Sequence, residues 1–314
     1  MSKIGSILKN GSNGYQYFTN LYGQTNNIHE AEALIQDIAL GGFTHYSELK
    51  SFELKSDTST KITNISDRLL HYLYKTCLSP HEADDNSSLS LQLENFSDYL
   101  SKSQELWNLW ENLWENVFPM ISRDINITST LRQKCYRRPD NIQSSQLLSV
   151  EDVWFLDVHL SPEYRPSSWK LIFSSAQHGN NWTLFQSNVL ERGATLLIIR
   201  EKGAEGRVFG GFASCEWCIK PKFYGNSDSF LFQLQPYLQL FKSSGINQNY
   251  QYFNHGAQTF PNGLGFGGQI DYFGLWLDSS FIRGNSKAAP HSTTFGNTQL
   301  STNETFEIDH GKIS

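Results

Sequence analysis

The chain has 314 residues, enough for one large domain or two smaller ones. Its formal net charge is −6, which argues against a nucleic-acid-binding protein, because that class usually presents a basic face. No segment has the length and apolarity of a membrane-spanning helix, so no transmembrane segment is predicted. Four cysteines in a chain of this size favour a reducing, cytoplasmic compartment over a disulfide scaffold.

Residues 1–140 are predicted to form a mainly helical region. Apolar residues recur at helical spacing between residues 28 and 40, at Ala31, Leu34, Ile35 and Ile38. A second helix is predicted to begin near Ser66, a candidate N-cap. A third is predicted over residues 95–117, with one face formed by Trp107, Trp110, Trp114 and Val117. This stripe is interpreted as core packing; the alternative, a partner-binding stripe, requires that face to be exposed.

One segment of the N-terminal region resembles a calcium-binding loop in composition, but its residue spacing does not match. Residues 84–88 read DDNSS, like the start of a calcium loop. An EF-hand needs Gly at the sixth loop position and Glu at the twelfth, and counting from Asp84 these are Leu89 and Asn95. We interpret the segment as a solvated loop with a degenerate EF-hand signal. The N-terminus, MSKIGSILKN, lacks the apolar core of a secretory signal, and its second residue is Ser2 rather than the glycine that N-myristoylation requires.

Beyond residue 147 the sequence changes to short aromatic and β-branched runs separated by turn residues. Strands are predicted over residues 169–174, 195–200, 207–214 and 230–234, with a short helix over 181–191. Strands without alternating helices favour an antiparallel sandwich. The predicted fold class is therefore α+β: a C-terminal β-sandwich over 147–314 with short flanking helices, after a mainly helical N-terminal region.

Four glycines between Gly263 and Gly268 suggest a phosphate-binding loop as one hypothesis. Such a loop needs a strand before it and a helix after it. Here a polar, proline-containing segment precedes the glycines, and residues 272–278 alternate like a strand. The alternation predicts Phe273, Leu275 and Leu277 on one face, and Tyr272, Gly274, Trp276 and Asp278 on the other. We assign the glycines to positive-φ turns and close backbone packing, and predict no cofactor.

Other catalytic and metal-binding patterns are incomplete. No Gly-x-Ser-x-Gly or His-Glu-x-x-His motif occurs, so no enzymatic activity is predicted. Cys215 and Cys218 form a C-x-x-C, but a zinc site would need a second pair, and the other cysteines, Cys77 and Cys135, lie far apart. A redox-active or metal-binding stress-protection protein stays open as the alternative. It would use this cysteine pair or a histidine cluster formed by His178, His255 and His291.

From about Leu147 to its end, the chain resembles the TLDc family. The matching segments, in order, are SWKLIFSSAQHG (168–179), RVFGGFASCEW (207–217), FYGNSDSFLF (223–232), NHGAQTFPNGLGFGG (254–268) and YFGLWLD (272–278). They are followed by GNSK (284–287), TTFG (293–296) and QLS (299–301). Within the family they look most like the mTOR-associated (eak-type) branch.

The resemblance gives two sets of site residues. Family-motif positions, with a structural or docking role, are Gly210, Gly211, Trp217, Gly225, His255, Gly256, Asn262, Gly263, Gly265, Gly267, Gly268, Trp276 and Asp278. Charged neighbours are better interface candidates, because glycines present little side chain to a partner. These candidates are Asp228, Arg283 and Lys287.

The resemblance also implies a fold and a role. The family fold is a sandwich of two antiparallel sheets with short flanking helices, and no catalytic activity is established for it. The implied role is a non-enzymatic regulatory adaptor that binds the catalytic sector of the vacuolar proton pump (V-ATPase). It would act with the TOR complex in nutrient signalling at the lysosomal or endosomal surface, or in oxidative-stress protection.

Three departures from the family pattern affect this expectation. The branch usually begins with a lipidated Gly, which is absent here, so anchoring through that lipid is not expected. Oxidation-resistance members carry a Cys before the proline that matches Pro236, and here that residue is Gln235. The sequence from 306 to 314 lacks the family's Trp-Gly ending, which predicts an incomplete last strand and no C-terminal helix to reach the pump's rotor.

Overall fold

The computed structural model describes residues 33, 35–40, 67–78, 103, 105–106, 108–109, 147–165, 169–203, 206–288 and 290–313. These residues belong to two compact units. The described residues up to 109 and the segment Val153–His159 lie in the first unit. Residues 147–152 and those from Leu160 onward lie in the second. Within these ranges, no helix combines the length and apolarity needed to cross a membrane.

The described residues of the first unit are mainly helical. Helix α1 (Asp67–Leu78) buries Leu69 and Leu73, one helical turn apart. Residues 35–40 are helical and bury Ile35 and Ile38, which confirms these two positions of the predicted apolar stripe. The predicted cap at Ser66, the tryptophan stripe of residues 107–117 and the loop of residues 84–88 lie outside the described residues.

Helix α2 (Val150–His159) begins with a reciprocal cap. The amide N–H and hydroxyl of Ser149 donate to Asp152 Oδ2, both at 2.8 Å, while the Asp152 amide donates back to Ser149 Oγ at 3.2 Å. This arrangement is a capping box with Asp in place of Glu, and it fixes where the helix starts. The C-terminal His159 lies within the first unit, where its Nε2 is 2.9 Å from the Tyr72 hydroxyl.

The second unit is a curled antiparallel sheet with short helices. A 3₁₀ turn (Pro162–Tyr164), α3 (Ser175–His178) and α4 (Trp182–Val189) precede most of the strands. The strands are β1 (Phe173–Ser174), β2 (Thr195–Glu201), β3 (Val208–Ala213), β4 (Lys220–Tyr224), β5 (Phe230–Gln235), β6 (Gln239–Phe241), β7 (Gln251–Asn254), β8 (Gly263–Gln269), β9 (Tyr272–Asp278), β10 (Arg283–Asn285) and β11 (Thr305–Ile313).

One hydrogen-bonded path connects these strands, in the order β4-β7-β8-β9-β10-β11-β2-β3-β5-β6, with β1 beside β11. All strand pairs are antiparallel, as predicted, but the two halves are joined rather than separate as in a two-sheet sandwich. Strand β11 makes the junction, since Glu307 pairs with Arg283 of β10 while Gly311 pairs with Ile199 of β2. A register shift between Ile308 and His310 bends it there. This last strand has nine residues and lies at the centre of the order, and the expectation that it is shorter than the family's stays a prediction.

The main core lies between the two halves of the sheet. Side chains from both halves meet in it, including Leu197, Phe209 and Leu231 from one half and Phe253, Phe266 and Leu275 from the other. Trp217 is fully buried here, with its ring edge-on to Phe266 at a centroid distance of 5.4 Å. Helix α4 adds Trp182, Phe185 and Val189 to the core, and the side chain of Asn181 caps its N-terminus.

Most predicted elements of this unit are present. Strands β2, β3, β5 and β9 and helix α4 confirm the predictions for their segments. The predicted strand over 169–174 is wrong except for Phe173 and Ser174. Strand β8 was not predicted, because its glycines are typical of turns and hid its extended backbone.

Candidate interaction surface

The glycine cluster is a β-strand inside the sheet. Strand β8 pairs with β7 on one side and β9 on the other, and Gly265 lies opposite Trp276 in the second pair. The segment that follows is strand β9, not a helix whose N-terminus could hold a phosphate. The geometry therefore contradicts a nucleotide loop. The predicted positive φ is found at Gly267 and Gly268 and the predicted close packing at Gly263 and Gly265, although the cluster forms a strand rather than turns.

Two of these glycines make room for aromatic rings on the face opposite the core. Phe273 and Trp276 stack at a centroid distance of 4.5 Å and, with Tyr252, form a buried group that we call the second aromatic cluster. A Cβ added at Gly265 would lie 2.6 Å from Phe273 Cδ1, and one at Gly263 would lie 2.5 Å from Trp276 Cζ2. Only glycine fits beneath these rings without a shift of the rings or of the strand.

The second aromatic cluster corrects the predicted alternation of β9. Phe273 was assigned to the face of Leu275 and Leu277, yet it stacks on Trp276 while the two leucines lie in the main core. The cause lies in the partner strand. Gly267 and Gly268 have φ values of +68° and +77°, and Gly268 pairs directly with Phe273, so the regular pleat is broken at that point.

The remaining motif residues also have internal partners. The Trp217 indole N–H donates to Thr195 Oγ1 at 2.8 Å. The Asn262 side chain closes its own loop by accepting from the Ala257 amide at 3.1 Å and donating to the Ala257 carbonyl at 2.9 Å. Asp278 Oδ1 accepts from the Ser280 amide at 3.0 Å and from the Ser280 hydroxyl. These polar groups hold the fold together.

The other motif glycines lie in strands and turns. Gly210 and Gly211 are on β3, where an added Cβ would lie 2.8 Å from Phe232 Cζ and 3.0 Å from Phe266 Cε1 respectively. Gly225 follows β4, and Gly256 lies in the loop after β7 beside the exposed His255.

The cysteine segment is held rigidly around two free thiols. Cys215 and Cys218 are both partly exposed. The Cys218 amide donates to the Tyr224 hydroxyl at 2.7 Å, and that hydroxyl donates to the Cys218 carbonyl at 3.1 Å. Gln251 Nε2 donates to the Cys215 carbonyl at 3.1 Å. Burial raises the pKa of Tyr224 to about 12, although its hydrogen bonds to Cys218 and Gln251 act in the opposite direction.

The proposed histidine cluster is not formed. His178 Nδ1 accepts from the Ser174 amide at 3.0 Å, and its ring stacks on Phe173. His255 is exposed 6.1 Å from the Trp182 ring, and His291 is exposed in the loop before Thr293. Across the described ranges, no group of three or more His, Cys, Asp or Glu side chains could hold a metal ion. The histidine version of the stress-protection hypothesis therefore lacks a site.

The predicted interface residues lie on two different parts of the sheet. Arg283 is the first residue of β10, and Lys287 lies two residues after its last residue. Arg283 Nη2 is 3.9 Å from Glu307 Oε1, and Lys287 Nζ is 3.8 Å from Glu304 Oε1. The Lys287 Nζ also lies 5.6 Å from the ring centroid of Tyr272, a side chain that is 59% exposed. We call Tyr272, Arg283 and Lys287 the β10 surface. Asp228 is exposed in the turn between β4 and β5.

Sequence reasoning missed the buried carboxylate of Glu201. Glu201, at the end of β2, is 4% exposed, and its carboxylate accepts from the amide of Thr302 at 3.1 Å and from the Thr302 hydroxyl. A buried carboxylate needs such partners to offset the loss of water. In the sequence, Glu201 is a charged residue at the end of an apolar strand. The sequence alone does not show whether that end of the strand is buried or exposed to solvent.

Comparison with known proteins places the fold in a family. Residues 141–311, more than half of the chain, match the TLDc domain. The MTOR-associated protein MEAK7 of Danio rerio is 44% identical over 163 residues, 52% of this chain and 36% of that protein. Its counterpart in Homo sapiens is 37% identical over 196 residues, 62% of this chain and 42% of that protein. Oxidation resistance protein 1 of Xenopus tropicalis is 34% identical over 177 residues, 56% of this chain and 19% of that protein. The match thus spans less than half the length of each relative, and the chain belongs to the TLDc family.

Proposed function

We propose that this TLDc protein is a non-enzymatic regulatory adaptor that binds the catalytic sector of the V-ATPase and acts in nutrient-responsive TOR signalling. The observation that carries the proposal is the 37–44% identity to MTOR-associated MEAK7 proteins across 52–62% of the chain. The pump is the partner that the family resemblance implies. The protein would then reach lysosomal or endosomal membranes peripherally, through the pump.

The contacts of the motif residues support a binding role over a catalytic one. The polar side chains of Trp217, Asn262 and Asp278 bond to neighbours within the fold, and the glycines of β8 accommodate aromatic rings. The side chains that are available to bind a partner are the solvent-accessible ones, such as those of the β10 surface. This surface combines an exposed tyrosine with cations, and Tyr and Arg are enriched among residues that dominate binding energies.

A cellular rescue experiment tests this function. Cells that lack the protein would receive either the natural chain or the Arg283→Glu/Lys287→Glu variant. TOR substrate phosphorylation would be followed after amino-acid starvation and refeeding. We expect the natural chain to restore the response and the variant to restore it less. Full rescue by a folded variant would remove the β10 surface from the function, and no rescue by either would count against a TOR role.

Oxidative-stress protection is the second candidate, and a specific observation favours it. The chain is 34% identical to oxidation resistance protein 1 of Xenopus tropicalis, and its C-x-x-C thiols are free and partly exposed. The same cells, challenged with peroxide, would separate the two roles. Loss of protection in a Cys215→Ser/Cys218→Ser variant that still supports TOR signalling would favour the redox role. Silent substitutions would exclude these thiols.

A further inference from the structure

A second surface of the curled sheet carries a small apolar cleft. It is lined by residues from 160–164 and 169–172 and by strands β2 and β3, and its volume is about 270 Å³. Its apolar lining comes from Leu160, Tyr164, Trp169, Ile172, Leu196 and Phe212. Tyr164 and Phe212 meet edge to face at a centroid distance of 5.3 Å and form one wall. None of the family-motif positions lines this cleft.

Two cations line the cleft without carboxylate partners among the described residues. Lys170 and Arg192 both line it, both are exposed, and neither forms an ion pair with a described residue. Arg192 Nε donates to the Asn188 carbonyl at 3.2 Å, which leaves its two terminal nitrogens for other acceptors. By contrast, the Arg283 and Lys287 cations already face glutamates. In a chain of net charge −6, cationic side chains without counter-charges favour an anionic ligand.

Two carboxylates act on Tyr164, a residue that also lines the cleft. Tyr164 has a raised pKa, mainly through burial, and the nearby carboxylates of Glu163 and Asp228 raise it further. Glu163 and Asp228 do not line the cleft, whereas Lys170 and Arg192 do, so the charged lining residues are cationic. A bound ligand would be oriented, with its negative charge at these two cations and its apolar part toward Tyr164 and Phe212.

We propose that this cleft is a docking site for a short acidic segment of a protein partner, which inserts one apolar side chain and pairs its carboxylates with Lys170 and Arg192. The volume lies just below the roughly 300–1,000 Å³ of pockets for drug-sized ligands, which favours a single side chain over a cofactor. The charge decides against a lipid surface, because recognition of anionic membranes typically uses clusters of about 4–8 basic residues. The proposal deepens the adaptor function and rests on it only for the identity of the partner.

The direct test is fluorescence anisotropy with the full chain and two labelled peptides of equal length. One peptide contains Asp-Phe-Asp and the other Lys-Phe-Lys. We expect the acidic peptide to bind and the basic peptide not to bind. Loss of the two charge-assisted contacts in Lys170→Glu/Arg192→Glu should weaken binding about tenfold or more. A matched reversal of two exposed lysines on β4, Lys220→Glu/Lys222→Glu, should leave the affinity within about twofold, since these residues lie outside the cleft.

A second variant tests the apolar half of the proposal. Ala194→Phe places a ring in the cleft without changing the net charge, and we expect it to compete with the inserted side chain and weaken binding. The proposal is overturned if the natural chain does not bind the acidic peptide, or if both the charge-reversed and the Ala194→Phe proteins bind it as well as the natural chain. It is also overturned if phosphatidylserine vesicles, and not the peptide, bind in a Lys170- and Arg192-dependent manner.

The outcomes of peptide binding and of V-ATPase binding distinguish failure of this inference from failure of the proposed function. Peptide binding without V-ATPase binding would refute the pump as partner and leave the docking site standing. V-ATPase binding by a natural chain that ignores the acidic peptide would support the adaptor function and refute the cleft.

Discussion

Replacement of Gly265 by alanine tests whether the glycine strand is structural. The new Cβ would lie 2.6 Å from Phe273 Cδ1 and 2.9 Å from Trp276 Cε3, closer than real Cβ contacts. Both rings are almost fully buried and stacked on each other, so neither can move without disturbing the other. Overpacking of this kind costs about 1–3 kcal/mol. For a unit of this size, each kcal/mol lowers the melting temperature by roughly 2–4 °C.

The assay is thermal unfolding followed by near-ultraviolet circular dichroism, which reports on the packing of the ordered aromatic rings, Trp276 and Phe273 among them. Gly311→Ala is the matched control. It is also a strand glycine, but its added Cβ would meet only the Phe281 ring, at 3.3 Å, and the more distant Ile308 side chain. We expect Gly265→Ala to melt several degrees below the natural chain and below the control. An unchanged melting temperature and spectrum, combined with loss of V-ATPase binding, would refute the structural role and make the strand part of the docking surface.

Three further predictions follow from single contacts. Thr195→Val leaves the buried Trp217 indole N–H without an acceptor, and chemical denaturation should show a loss of about 1–3 kcal/mol; a loss below a few tenths would contradict the hydrogen bond. The pKa of Tyr224 in the folded protein is raised to about 12, so its contribution to stability is present below pH 10 and is lost as the pH rises from 10 to 12. Tyr224→Phe should therefore reduce the fall in the free energy of unfolding over this pH range. An identical slope in the variant and the natural chain would contradict the raised pKa. Arg283→Glu/Lys287→Glu should weaken pump binding with little change in melting temperature, since the two side chains form only surface ion pairs and, for Lys287, a surface contact with the Tyr272 ring. Equal binding would place the interface elsewhere.

Local patterns predicted the regular elements of the second unit. The apolar run at residues 195–200 and the aromatic run at 230–234 are strands because buried β-branched and aromatic side chains fit a pleated surface. Helix α4 was predicted from its apolar spacing and begins at the side-chain cap of Asn181. The capping box of Ser149 and Asp152 was present in the sequence and would have predicted the start of α2.

Longer-range features could not be predicted from local patterns. Glycines are suited to strand β8 because Phe273 and Trp276 of the paired strand β9 occupy the space where their side chains would lie. The sequence of residues 263–269 alone does not show that these two strands pair. The cleft depends on Lys170 and Arg192, which are far apart in the sequence and are brought together by folding. Strand β11 joins the two half-sheets and changes register between Ile308 and His310, and no local composition marks either feature.

Co-sedimentation of the purified chain with intact V-ATPase, with ATP hydrolysis measured in the same tubes, tests the central claim most directly. We predict saturable binding and a change in hydrolysis rate that follows the bound fraction, both reduced in the Arg283→Glu/Lys287→Glu variant. A folded natural chain that stays in the supernatant of an active pump, at every concentration tested, would contradict the adaptor function.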